Sequence, residues 1–247
     1  MPKPAFDIEQ FLNIRSAGGA TFSPDSRFVG FLTNITGVTQ LWQVPVEGGW
    51  PTQLTFTRET VRGAAYCPTR HELVFSMDAG GNERNQLFLL SGIGGGMNHS
   101  LGEGWFSTDI SRDPKAIHTF GGWSHDGQRI AFSANRSKPD RFDLFVQPVQ
   151  GAETATADAA RMIKEGPGGY FNPAGWSPDD QWLLVVRAES NFNQDLYVVN
   201  TSSGESKHLT PHEGNVQFES PRWSPDGKRV LCLSTHGGQD LTSFTEI

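Results

Sequence analysis

One pattern occurs five times in this 247-residue chain and restricts it to repeat architectures. The copies are FSPDSRFVGFL from Phe22, YCPTRHELVFS from Tyr66, WSHDGQRIAFS from Trp123, WSPDDQWLLVV from Trp176 and WSPDGKRVLCL from Trp223, spaced by 44, 57, 53 and 47 residues. Aromatics are 11% of the chain, yet every copy opens on one, and Asp holds the fourth position in four copies. Ser-Pro-Asp-Gly is turn chemistry: Pro225 presets φ, Asp226 bonds to nearby backbone N–H groups, and Gly227 accepts positive φ. Each copy therefore reads as two strands joined by a turn. After it come Val29-Gly30-Phe31, Leu73-Val74-Phe75, Ile130-Ala131-Phe132, Leu183-Leu184-Val185 and Val230-Leu231-Cys232, apolar at consecutive positions. Such a strand is buried on both faces.

A second block follows, its Leu 18 to 21 residues after each aromatic: QLWQV from Gln40, QLFLL from Gln86, DLFVQ from Asp143, DLYVV from Asp195 and DLTSF from Asp240. A turn and a short polar strand ending in Leu54-Thr55 or Leu209-Thr210 complete the unit. Four strands with the outermost most polar describe a propeller blade, whose faces pack on neighbouring blades. The expected fold is an all-β propeller of four-stranded antiparallel blades. It forms one domain over 1–247, with blades starting near 22, 66, 123 and 176 and a partial fifth from 223. The residues before Phe22 read as a short helix, with Ile8, Phe11 and Leu12 on one side, and a strand that is free to complete the last blade. A truncated, incomplete ring is the favoured expectation.

Lys and Arg number 20 against 27 Asp and Glu, a net charge of −7, so the attraction that drives binding to nucleic acid or anionic membranes is missing. Cys67 and Cys232 are too few for a disulfide scaffold or a four-cysteine zinc site and read as buried thiols. With no signal-like apolar run at the N-terminus and no membrane-length apolar stretch, a cytoplasmic protein is expected.

Motifs for chemistry are sparse. No serine sits in a G-x-S-x-G elbow, and Ser124, His125 and Asp126 read as residues of the repeat turn. The run Gly92 to Gly96 lacks the Lys-Ser/Thr of a phosphate loop and reads as a hairpin turn. His208 and His212 are four apart, but Pro211 between them forbids a helical metal pair. No catalytic, cofactor-binding or metal-ligating residue is assigned. The connections between second and third strands carry more charge than a turn needs, which makes Asp78, Glu83, Arg84, Arg136 and Arg141 candidate rim contacts lining a tunnel mouth or meeting a partner domain.

Taken together, the SPDG repeats, the DLYVV blocks and the closing Leu-Thr pairs resemble the N-terminal propeller of the prolyl oligopeptidase family of serine peptidases, in its acylaminoacyl-peptidase and dipeptidyl-peptidase-like branch. The likeness covers essentially the whole chain. It is most specific at DIEQFLNIRSAGGATFSPDSRFVGFL and LTPHEGNVQFESPRWSPDGKRVL. It implies a propeller that caps a C-terminal α/β-hydrolase domain, absent from this chain, and admits peptide substrates while excluding folded proteins. The competing expectation is a stand-alone propeller, similar to the periplasmic translocation protein TolB, that binds a protein partner.

Overall fold

The computed structural model describes residues 8, 13–91, 106–149, 157–237 and 243–246. They form five antiparallel sheets in chain order. Sheet one comprises β1 (Ala17–Phe22), β2 (Phe28–Thr33), β3 (Gln40–Pro45) and β4 (Thr52–Gln53). Sheet two comprises β5 (Val61–Tyr66), β6 (Leu73–Met77), β7 (Gln86–Ser91) and β8 (Phe106–Asp109). Sheet three comprises β9 (His118–Trp123), β10 (Arg129–Lys138), β11 (Arg141–Pro148) and β12 (Arg161–Lys164). Sheet four comprises β13 (Tyr170–Trp176), β14 (Trp182–Ser190), β15 (Asn193–Asn200) and β16 (Ser206–His208). Sheet five comprises β17 (Phe218–Trp223), β18 (Val230–Ser234) and β19 (Ser243–Glu246). This is a β-propeller, with four complete blades and a fifth described through three strands. No helix among the described residues is long and apolar enough to cross a membrane.

Each aromatic ends the first strand of its sheet. The strand before Phe22 is therefore the first of sheet one, paired with β2. It is not a spare strand for the last blade. The expected N-terminal helix falls almost wholly outside the described residues, as does the Gly92 to Gly96 turn.

The turn gets its shape from one side-chain pair. Ser23, Ser124, Ser177 and Ser224 are buried, and each hydroxyl donates to the Asp two residues on, at 2.5 to 2.6 Å. The same hydroxyls accept the N–H of the residue five positions later, which closes the hairpin. The fifth position is left-handed in all four copies, at Ser26, Gly127, Asp180 and Gly227, so two of them hold this conformation without glycine. In the deviant copy Cys67 and Thr69 replace Ser and Asp, and Cys67 is buried like the serines.

Four apolar clusters fill the four interfaces between successive sheets. The consecutive apolar residues of the middle strands split by parity. Ile130 and Phe132 pack toward sheet two while Ala131 packs toward sheet four. Leu183 and Val185 face sheet three and Leu184 faces sheet five. The aromatic reaches back into the preceding sheet: Trp123 Nε1 donates to Ala65 O at 3.2 Å, and Trp176 Nε1 to Gly122 O at 3.1 Å. A guanidinium covers each indole, Arg70 over Trp123 and Arg129 over Trp176. Gly30 makes room for the Tyr66 ring, which lies 3.1 Å from where a Cβ would stand.

The outer sheets show the reverse case. Among the described residues no preceding sheet packs against Phe22, which is 62% exposed, while Trp176 is 5% exposed. Leu231 is 46% exposed, although its counterparts Ala131 and Leu184 are fully buried. Truncating Trp176 to Ala is accordingly expected to cost about 3–5 kcal/mol. Phe22→Ala should cost less than about 1 kcal/mol, because little of that ring leaves water on folding. Denaturant midpoints with unchanged slopes check both.

The turn carboxylates add a pH signature. The hydroxyls of Ser23, Ser177 and Ser224, and the N–H two residues after each Asp, hold Asp25, Asp179 and Asp226 below the ordinary value of 3.8. A carboxylate whose folded pKa is depressed contributes stability that is complete above its unfolded pKa and is lost as pH falls through the folded one. Urea midpoints should therefore be level above about pH 5 and drop below about pH 4. In Asp179→Asn that drop should be shallower.

Candidate functional site

The end of the barrel opposite the turns carries the connections between second and third strands, and there the five candidate residues divide. Asp78 is buried, and its Oδ2 accepts the Glu83 N–H at 2.8 Å, with Arg62 Nη2 3.4 Å from Oδ1. The Glu83 N–H, and then Arg62, hold this carboxyl below its usual range. It shapes the loop. Arg141 lies in β11 and is ion-paired with Asp143, Nη2 donating to Oδ2 at 3.2 Å, with Nη1 3.2 Å from Glu165. Asp143 is fully buried and also accepts the Gly166 N–H and the Ser137 hydroxyl. Glu83, held at φ 60°, and Arg84 stand exposed on the rim.

Arg136 is part of β10, because that strand runs on to Lys138 where a loop was expected. Its guanidinium rests on Phe132 and Phe145, 5.2 and 5.1 Å from the ring centres. Nη2 donates to Ser111 O, and Nε donates to His118 Nε2, both at 3.0 Å. The imidazole must then carry its proton on Nδ1, 3.2 Å from Asn85 O. Burial first, and then the neighbouring Arg136 charge, pull the His118 pKa down to about 4. His118 is a neutral spacer at the start of β9.

Beside it a cleft of about 310 Å³ separates the first strands of sheets two and three. Gly63, Ala64, Val74, Phe75, Ser76, Asn85, His118, Thr119 and Phe120 line it. Sequence reasoning did not find this cleft; its signal lay in the repeat columns ten residues after and four before each aromatic, where Ser76 and Thr119 stand.

The histidines four apart converge on the third strand of sheet four. His208 Nε2 is 2.7 Å from Asp195 Oδ1 and its ring stacks on Tyr197, while His212 Nδ1 is 2.8 Å from Thr210 O. The residue at the Asp195 position is buried in sheets one to four, as Gln40, Gln86, Asp143 and Asp195. Gln40 bonds to Thr57 and Glu59, and Gln86 to Ala116 and Ser111. The hydroxyls of Thr55, Ser111 and Thr210 accept the N–H of the Leu that follows. These groups fasten the fourth strand's exit to the third. Among the described residues no three His, Cys, Asp or Glu side chains are arranged to hold a metal. Ser124 is spent on Asp126, and His125 faces Asp180 of the next sheet, so the turn assembles no nucleophile.

No family model matches the sequence. Two peptidases do: dipeptidyl-peptidase 5 of Porphyromonas gingivalis is 26% identical over 117 residues, 45% of this chain and 17% of that protein. The uncharacterized peptidase YuxL of Bacillus subtilis is 27% identical over 115 residues, 47% of this chain and 17% of that protein. Among solved structures, puromycin hydrolase superposes with a TM-score of 0.73 at 12% identity, over 99% of this chain and 39% of that one. The chain resembles the propellers of the prolyl oligopeptidase family. A putative TolB from Agrobacterium tumefaciens shares the fold, with a TM-score of 0.63 at 17% identity, over 89% of this chain and 70% of its own. The chain thus spans a small part of the peptidases that it matches.

The division of the rim predicts unequal mutational costs. Arg141→Ala leaves the Asp143 carboxylate buried without its cation and should cost about 3–5 kcal/mol. Glu83→Ala should stay within about 0.5 kcal/mol. Equal denaturant midpoints for the two variants would overturn the assignment of Arg141 as a structural brace.

Proposed function

We propose that this chain is the non-catalytic, substrate-gating propeller of a cytoplasmic serine peptidase that acts on peptides. The observation that carries the reading is the sequence match to two peptidases across nearly half the chain. The propeller fold is consistent with it. In this reading an α/β-hydrolase domain sits against the rim of second-to-third-strand connections, where Glu83 and Arg84 are exposed. Folded proteins are excluded by the width of the propeller's passage, and an extended peptide is admitted. The turn serines supply no nucleophile, because they are buried and bonded to aspartates.

Two measurements test this. The purified chain should take up no fluorophosphonate probe and should not hydrolyse aminoacyl or acyl-peptide chromogenic substrates, since acyl transfer needs an activated nucleophile and an oxyanion hole. Labelling of a serine with turnover above buffer would sink the reading. In the source genome, the reading frame beyond codon 247 should continue into further repeats and a G-x-S-x-G elbow. A stop at that codon would favour a stand-alone interaction propeller.

A further inference from the structure

The interface between sheets two and three differs from its neighbour by the cleft that it contains. One interface later, Ser133 Oγ donates to Asn172 Oδ1 at 2.6 Å and bridges sheets three and four. The equivalent positions, ten residues after one aromatic and four before the next, are Ser76 and Thr119. Threonine is one atom shorter than asparagine toward the partner sheet. In place of a bridge, both residues line the 310 Å³ cleft. Gly63 keeps it open: a Cβ there would meet only Ser76 Oγ, at 3.6 Å, so neither strain nor close approach demands glycine.

The lining has a definite chemistry. Val74 and Phe120 form apolar walls, Ser76 and Thr119 present hydroxyls, and Asn85 Oδ1 is buried with no hydrogen-bond partner. Its volume lies at the small end of the ~300–1,000 Å³ usual for ligand pockets, which suits a short stretch of chain. No charge faces it. His118 is engaged at both ring nitrogens, and Arg136 is held by His118 and Ser111. Hydroxyls and a carboxamide beside apolar walls suit a small, uncharged group that both donates and accepts hydrogen bonds.

We propose that this cleft holds a main-chain amide of a peptide. The inference rests on the proposed function and deepens it, since it gives a passing peptide a resting place on the propeller wall. The test is a titration of the ¹⁵N-labelled 247-residue chain with acetyl-trialanine N-methylamide, which has no charged ends. Saturable shifts should appear at the amides of Gly63, Ser76, Asn85 and Thr119. Thr119→Asn should restore the bridge seen one interface later, raise Tm and weaken binding at least tenfold. Gly63→Val fills the cleft without a bridge and should weaken binding to the same degree, which decides the matter if the first variant does not fold. Unchanged affinity in the folded variants overturns the proposal. So does the absence of shifts. Shifts confined to another part of the barrel also overturn the cleft, yet leave the gating reading standing, because that reading is decided by the probe and the reading frame.

Discussion

Each middle strand carries apolar side chains on both faces, so a sheet standing alone would expose an apolar surface whichever way it turned. Stacking on a neighbour at each face removes that surface from water, at about 1.5–3 kcal/mol for each fully buried Leu, Val or Phe. The parity of Ile130, Ala131 and Phe132, with alternate residues facing alternate neighbours, writes this requirement into three consecutive positions. The aromatic at the end of each first strand then acts as a key. Where a sheet precedes it, it spans the interface, and the indole N–H groups of Trp123 and Trp176 reach a carbonyl of that sheet. Sheets held this way contact their neighbours in chain order, so stability accrues interface by interface.

Dry stacking raises the cost of every polar group inside it, and the repeat meets that cost with paired groups. The turn Ser lies buried because its hydroxyl both donates to the Asp carboxylate and accepts a backbone N–H, which leaves no unmet donor. The Gln or Asp before the third-strand Leu does the same work at the opposite end, tying the loop that leaves the fourth strand. In sheet three Asp143 takes the Gly166 N–H directly and is paired with Arg141. A buried carboxylate with that partner removed is far costlier than a buried amide, which is why a residue that resembles a surface charge behaves as a brace.

The fold was legible in the sequence because its signals are local and repeated. An aromatic, a Ser-Pro-Asp turn and a run of apolar residues each act within a dozen positions, and five copies separate pattern from accident. The charged connections were harder. Asp78, Arg136 and Arg141 sit in segments that look like solvated loops, yet each is consumed by a partner: Arg62, His118 and Asp143 respectively. Arg141 finds Asp143 two residues away, whereas the other two pairings lie 16 and 18 residues apart and depend on which strands lie side by side. The cleft was less legible still, because it is a property of two columns in different repeats that meet only when sheets two and three pack.

A repeat protein supplies its own internal reference, and departures from it carry information that a single domain lacks. Thr69 in place of the turn Asp, beside Cys67 in place of Ser, leaves the hairpin intact. Gly127 lies close to both, and Arg70 donates to its carbonyl, so that change is absorbed structurally. Thr119 in place of the bridging Asn is not absorbed. It leaves space beside the Phe120 ring in a cleft that Asn85 also lines, its oxygen buried without a partner, and an unmet buried acceptor costs about 1–3 kcal/mol. A single-residue change to Asn at that position closes the gap with chemistry that the same chain already uses one interface later. A local defect so easily repaired, at the start of a strand beside the rim, is the kind of stability loss that goes with a site in use.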